Sequence, residues 1–172
     1  MNSKLQVAGL ALYLAAACAG QVCAQTVLER IKRDETYWLP KGDPDMAAAM
    51  RKARETLPAF LALSRAPHPS ASNFAVKVGV RDKNRDIVEY FWITDFVEKD
   101  GRFSGQIGND PDTVDSVKFG DTISFDQEEI VDWLYLDGRR IKGNYTICVM
   151  LKRSPREEAQ AAVRKYGFEC NS

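Results

Sequence analysis

Short segments in which apolar and polar residues alternate dominate positions 74–151, and they constrain the fold more than any other feature. Alternation with a period of two is typical of strands that bury one face, because successive side chains point to opposite sides. Turn-forming residues separate the segments, which predicts a mostly antiparallel sheet of five to six strands. Seven segments fit strands, of which five to six are expected in the sheet: 74–80, 87–96, 102–107, 122–125, 130–136, 139–142 and 145–151.

The segment 87–96 (IVEYFWITDF) is apolar on both faces, as a central strand would be. Burying such a strand favours a strongly curved open sheet or a small barrel. Asp137-Gly138 lies between two predicted strands and predicts a two-residue hairpin turn.

A helix is predicted on each side of the strand region. Asp43-Pro44 offers an N-cap and a first-turn proline, and the residues after it place apolar side chains at helical spacing as far as Leu61. Pro58 is expected to kink or divide this helix. Ser154 and Glu157 form a capping-box pattern that begins a second helix over 154–167, which Gly167 ends. The predicted fold class is therefore α+β.

Residues 1–24 have the pattern of a secretory signal peptide. Lys4 gives a positive start, 7–19 is uncharged and apolar, and small residues precede a cleavage site before Gln25. The prediction is export to the periplasm or outside the cell, followed by an extended lead-in over 25–42 and one domain over 43–172. Two alternatives are a lipid anchor at Cys18 and an uncleaved N-terminal anchor. No later stretch reaches the roughly 20 apolar residues of a spanning helix.

Cleavage would leave two cysteines, Cys148 and Cys170. An even pair in an oxidising compartment most simply forms a disulfide. The alternative is two separate buried thiols.

The charge is balanced, with 24 basic and 24 acidic residues, and this balance gives no indication of a nucleic-acid partner. The chain contains no nucleophile elbow, phosphate-binding glycine loop or zinc-binding helix motif. His68, the only histidine, lies between two prolines and is read as a solvated loop residue. Asn109-Asp110-Pro111-Asp112 is read as a turn, since it lacks the length and the terminal glutamate of a calcium loop. We predict no metal and no cofactor.

The most distinctive cluster is the segment 132–135 (DWLY). Its aromatic rings could supply contact area to a partner, and Asp132 could fix the orientation. The alternative is a core tryptophan, with Asp132 capping a turn or satisfying backbone donors. Six residues are candidates for binding. They are Asp132, Trp133 and Tyr135 of this segment, together with Asn144, Tyr145 and Trp92.

Several of these segments occur in an order that resembles the bacterial domain of unknown function 2314, the YegJ-like family. The segments are 46–60, 74–77, 89–92, 103–105, 120–121, 132–135 and 143–146. The resemblance covers 43–152 and implies an α+β domain without an established activity. Some domains that look related occur among immunity proteins that neutralise secreted toxins.

The leading hypothesis is a non-catalytic exported binding domain whose partner is a protein, in its sharper form a toxin. One alternative is an envelope hydrolase that uses two carboxylates across a cleft. Its candidate acids are Asp95, Asp126, Glu128, Glu129 and Asp132. Another is a structural or stress-related envelope protein.

Overall fold

The computed structural model describes residues 42–82 and 84–170. The predicted signal peptide, the site at Cys18 and nearly all of the lead-in therefore lie outside the described residues. The fold is α+β, as predicted: within these described residues, three α-helices pack against a six-stranded antiparallel sheet. Of the two predicted forms of the sheet, the open one is present, because its edge strands do not pair with each other.

The elements follow the chain in a simple order. They are α1 (Pro44–Arg65), β1 (Ala71–Arg81), β2 (Val88–Lys99), β3 (Arg102–Ile107), β4 (Thr122–Phe125), a short 3-10 turn (Gln127–Glu129), β5 (Ile130–Asp137), β6 (Arg140–Gly143), α2 (Tyr145–Arg153) and α3 (Arg156–Tyr166). The strand order across the sheet is β4-β3-β2-β1-β5-β6. The strand predicted to be central, β2, lies inside the sheet beside β1.

Helix α1 begins as predicted. The Asp43 carboxylate accepts hydrogen bonds from the backbone N–H groups of Asp45 and Met46, at 3.1 and 2.9 Å. Pro58 lies inside the helix and does not divide it, so that part of the prediction was wrong. Pro58 is on the exposed side of α1, where water can satisfy the carbonyl that the proline leaves without a donor.

The two faces of the sheet are covered by different helices. Helix α1 packs on one face and forms the larger core, which includes Leu57, Phe60, Val76, Phe91, Ile93, Phe103 and Trp133. The last two helices cover β1 and β5 on the other face, where the core includes Ala75, Trp92, Ile147, Leu151, Ala162 and Phe168. Within the described ranges, no helix combines the length and the apolar character that a bilayer-spanning segment needs.

The largest departure from the predicted elements is the segment 145–151, which is helix α2 and not a strand. The segment is short and almost wholly apolar, and in such runs periodicity does not distinguish a strand from a buried helix. Tertiary contacts decide: six consecutive residues from Thr146 to Leu151 are buried, which a helix wedged among other elements achieves. Cys148 therefore lies on a helix, and its disulfide to Cys170 ties α2 to the tail after α3.

Two turn predictions are also corrected. Asp137 pairs with Arg140, so the hairpin turn is Gly138-Arg139, one residue later than predicted. Only Gly138 of these two has a positive φ, at 60°. Ser154 does not cap α3, because its hydroxyl donates to the carbonyl of Met150 in the preceding helix. Gly167 ends α3 as predicted, with φ 74°.

Candidate functional site

The six predicted binding residues lie in or against the core. Asp132 and Asn144 are fully buried, and Trp133 and Trp92 are nearly so. Tyr135 and Tyr145 are half-buried and pack against the larger core. A partner approaching the protein therefore meets at most the edges of the two tyrosines.

Asp132 takes the alternative role considered for it, that of satisfying backbone donors. Its carboxylate accepts hydrogen bonds from the backbone N–H groups of Tyr145 and Thr146, the first two residues of α2, at 3.2 and 2.8 Å. The Thr146 hydroxyl donates to the same carboxylate at 2.6 Å. An acid at a helix N-terminus satisfies donors that have no partner within the helix and favours the helix dipole. Asp132, on β5, thereby fixes where α2 begins.

Lys77 on β1 lies directly opposite both Asp132 and Trp92 in the sheet. It is fully buried, and its ammonium donates to the Thr146 hydroxyl at 2.8 Å and lies 4.8 Å from the Trp92 ring centroid. Burial raises the pKa of the Asp132 carboxyl, while Lys77 and the donors from Thr146 act in the opposite direction. The result is a buried polar network of Lys77, Asp132 and Thr146 that joins the sheet to α2.

Trp133 points to the opposite face and holds α1 to the sheet. Its ring stacks on Phe60 with centroids 4.8 Å apart, and Tyr145 meets it edge-on at 5.6 Å. The indole N–H donates to the Ala53 carbonyl at 3.0 Å. An aromatic side chain that is buried with its polar atom satisfied is typical of a structural core residue.

Asn144 joins β6 to α2 in a left-handed conformation, with φ 50°, directly after Gly143 at φ 78°. A Cβ atom at position 143 would lie 2.2 Å from the Trp133 carbonyl oxygen, so only glycine fits there. This tight turn directs α2 back against the sheet, where its first N–H groups donate to the Asp132 carboxylate.

The feature most like a binding site lies elsewhere, at the end of the β1–β2 ladder. The two strands pair from Ala75↔Thr94 to Arg81↔Val88. Before Ala75 along the chain, at Ser72 and Ala71, β1 pairs with β5. Beyond Thr94, β2 follows β3 through Val97 and Glu98. The sheet therefore opens between its two central strands, and we call this opening the splayed-strand groove.

A β-bulge accompanies the opening on each strand. The register shifts between Ser72 and Ala75 in β1, and between Thr94 and Val97 in β2. One residue in each bulge has a left-handed backbone, Asn73 with φ 52° and Asp95 with φ 49°. Asn and Asp adopt this conformation more readily than other residues with a Cβ atom. Bulges bend strands and end their pairing, and here two of them do so side by side.

The splayed-strand groove has a volume of about 810 Å³ and an aromatic floor formed by Phe74, Phe96 and Phe103. Phe60 of α1 packs against two of these rings, with centroids 5.8 Å from Phe74 and 6.0 Å from Phe96. Val97, at the rim, is 60% exposed. A concave site with an apolar floor and a polar rim is the usual form of a binding pocket.

The rim carries three charged side chains. Arg65, at the end of α1, pairs with Glu98 of β2. Asp95 also lines the groove and is exposed. Among the described residues it makes no ion pair or side-chain hydrogen bond, and its carboxylate faces solvent.

The other acids named in the sequence are dispersed. Of the five hydrolase candidates only Asp95 lines one of the three grooves we describe; Asp126 pairs with Arg102, and Glu129 bonds back to the Asp126 N–H. Asn109 accepts a hydrogen bond from the Trp92 N–H, and His68 contacts Ser70 in an exposed loop. In the part of the chain that the structure describes, no three His, Cys, Asp or Glu side chains converge as a metal site requires.

Two smaller grooves lie among the helices of the described residues. One, of about 320 Å³, lies between the start of α1 and α2, with Tyr145 and the Cys148–Cys170 disulfide in its lining. The other, of about 400 Å³, lies between α2 and α3.

Sequence reasoning missed the splayed-strand groove because its residues look like ordinary strand residues. The available signal was Asn73 and Asp95, each a poor strand former beside a phenylalanine, which together indicate bulges. Lys77 was also missed, because in an alternating segment a lysine on the face opposite the apolar residues is expected to be exposed.

The profile of a family described as "Uncharacterized protein conserved in bacteria (DUF2314)" matches residues 43–170 of the chain. The chain is also similar to the Escherichia coli (strain K12) protein named "Uncharacterized protein YegJ". The two are 38% identical over 114 residues, which is 66% of this chain and 72% of the relative. The comparison with solved structures found no match. The profile extends past residue 152 and includes α3 and Cys170.

Proposed function

We propose that this chain, which belongs to the DUF2314 family, is a non-catalytic domain that binds a protein partner outside the cytoplasm. The observation that carries the proposal is the splayed-strand groove, which combines an aromatic floor, an exposed valine and an acid without a partner. Aromatic side chains at a recess supply much of the binding energy at protein interfaces. The dispersed acids give paired-carboxylate hydrolysis no comparable support.

Export is supported by the leader pattern and by the cysteines. Residues 1–24 have the three parts of a signal peptide, and Cys148 and Cys170 are placed so that they bond. Mass spectrometry of protein recovered from the periplasm tests this part. We expect an amino terminus at Gln25. A diacylglyceryl-modified Cys18 would contradict cleavage at this position and leave export in place, whereas an intact leader would contradict signal-peptide cleavage altogether.

The partner can be sought by site-specific photocrosslinking in living cells. A benzoylphenylalanine in place of Val97 lies in the groove, and one in place of Phe119 is a matched control. Both native side chains are large, apolar and exposed, at 60% and 64%, and Phe119 is outside the groove. We expect one discrete adduct from position 97 and none from position 119. Equal adducts, or none from either position, would contradict binding at the groove.

In its sharper form the proposal names a toxin that acts in the envelope as the partner. A compact domain with a fixed recess suits stoichiometric neutralisation, since little conformational entropy is lost on binding. The purified partner should then form a tight one-to-one complex and lose its toxicity. A crosslinked partner without toxic activity would leave the binding function in place and refute the toxin version.

A further inference from the structure

We propose that the splayed-strand groove binds an extended segment of its partner as an added β-strand, and that this segment carries a basic side chain. The inference rests on the proposed binding function and names the mode and the chemistry of recognition. Three independent features of the groove lead to it: the backbone, the floor and the rim.

The backbone supplies the first argument. Where β1 and β2 separate, each strand turns its inner edge toward the opening, because its outer edge pairs with β5 or β3. A strand edge presents N–H and C=O groups at the spacing that another strand requires, and extended peptides bind to such edges. The open part of β2 runs from Asp95 to Lys99, and its regular part after the bulge, from Val97 to Lys99, is long enough for about three residues of added strand, or roughly 10 Å.

The floor supplies the second argument. Side chains of a strand alternate between its two faces, so every second residue of an added strand would point toward Phe74 and Phe96. These rings are half-buried and already held by Phe60, at centroid distances of 5.8 and 6.0 Å. The occupant therefore carries apolar or aromatic residues at alternate positions.

The rim supplies the third argument. Arg65 and Glu98 neutralise each other, which leaves Asp95 as the acid at the opening. A lysine or arginine in the occupant, pointing away from the floor, would complement it. The expected recognition sequence is thus a short extended segment with alternating apolar residues and an adjacent basic one.

The probe is a phage-displayed library of random 12-residue peptides, selected against the complete mature chain (residues 25–172). We expect enrichment of peptides with alternating apolar residues and a basic residue, and the best of them is then synthesised for titration. Phe96→Ala should weaken its binding at least tenfold. Asp95→Asn should weaken it about two- to fivefold, as expected for an exposed ion pair.

Matched controls separate binding effects from folding effects. Asp100→Asn makes the same change at an exposed aspartate that also has a left-handed backbone, with φ 52°, but lies outside the groove. Phe119→Ala removes an exposed ring elsewhere. Both should leave the peptide affinity unchanged. Asp95→Asn keeps the backbone preference of its position, so it still tests the site if Phe96→Ala reduces stability.

N-methylation of the peptide backbone distinguishes a failure of the proposed strand addition from a failure of the proposed binding function. An added strand needs its N–H groups, so N-methylation of central residues should lower affinity at least tenfold. If the peptides depend on Phe96 and Asp95 yet tolerate N-methylation throughout, strand addition is wrong and the binding function survives. If no peptide is enriched, or if binding ignores both variants, the groove is not a peptide site. The photocrosslinking experiment then reports on the function separately.

Discussion

Of the acidic side chains on the strands, Asp132 should be the one whose replacement by alanine lowers the free energy of unfolding most. The carboxylate accepts from Trp133 N–H, from two backbone donors of α2 and from the Thr146 hydroxyl. Its removal takes the Asp132 charge away from the buried Lys77 ammonium, and breaking a buried charge pair costs about 3–5 kcal/mol. Because the total stability of a domain is about 5–15 kcal/mol, the variant should unfold at a much lower urea concentration.

A double-mutant cycle isolates the pair. Lys77→Met keeps the length of the side chain and removes the charge, so the double variant Lys77→Met/Asp132→Ala no longer buries either charge. The double variant should therefore be more stable than the sum of the two single effects predicts, by at least about 1 kcal/mol. Glu128→Ala, at an exposed acid, is the control and should change stability by less than about 0.5 kcal/mol. A cost below about 1 kcal/mol for Asp132→Ala, or an additive cycle, would refute the reasoning.

Three further predictions concern the disulfide, the stability at acid pH and the loop 108–121 between β3 and β4. Replacing both Cys148 and Cys170 by serine opens a link across 22 positions and should lower the unfolding free energy by about 3 kcal/mol, as should reduction of the native protein; an unchanged urea midpoint would contradict this. Hydrogen bonds from Arg85 lower the pKa of Asp82 from 3.8 to about 2. The stability that the Asp82 carboxylate contributes is present above about pH 4 and is lost as the pH falls through its pKa in the folded protein. The free energy of unfolding of Asp82→Asn should therefore fall less steeply between about pH 4 and 2 than that of the native protein. Parallel curves of unfolding free energy against pH would contradict this. Glu89 is buried and accepts from the N–H groups of Asp112, Thr113 and Val114, so Glu89→Ala should speed amide exchange at these three residues and leave α1 unaffected.

The sheet could be predicted largely from the sequence because alternation is a local signal. Segments 102–107 and 122–125 coincide with β3 and β4, and segments 74–80, 87–96, 130–136 and 139–142 differ from their strands by a few residues at the ends. Helix α2 could not be predicted in the same way. Its start depends on Asp132, which is 13 residues from Tyr145 along the chain and becomes its neighbour only when β5 and β6 have paired.

The candidate site could be predicted even less. The segment 132–135 stands out in the sequence because tryptophan, tyrosine and a strand aspartate rarely occur together by chance, yet the structure uses these residues to join three elements. The splayed-strand groove depends on where the β1–β2 ladder ends, and it ends through contacts among four strands, β1, β2, β3 and β5, that no single segment encodes. Asn73 and Asp95 mark the place only after the register is known.

The most direct test of the account is an NMR titration of the ¹⁵N-labelled mature chain with the best peptide from the library. The account predicts that the amide signals that change most belong to residues 72–74 and 94–97, on both sides of the opening. Changes concentrated instead around Tyr145 and Cys170, or along the edge strand β4, would contradict it.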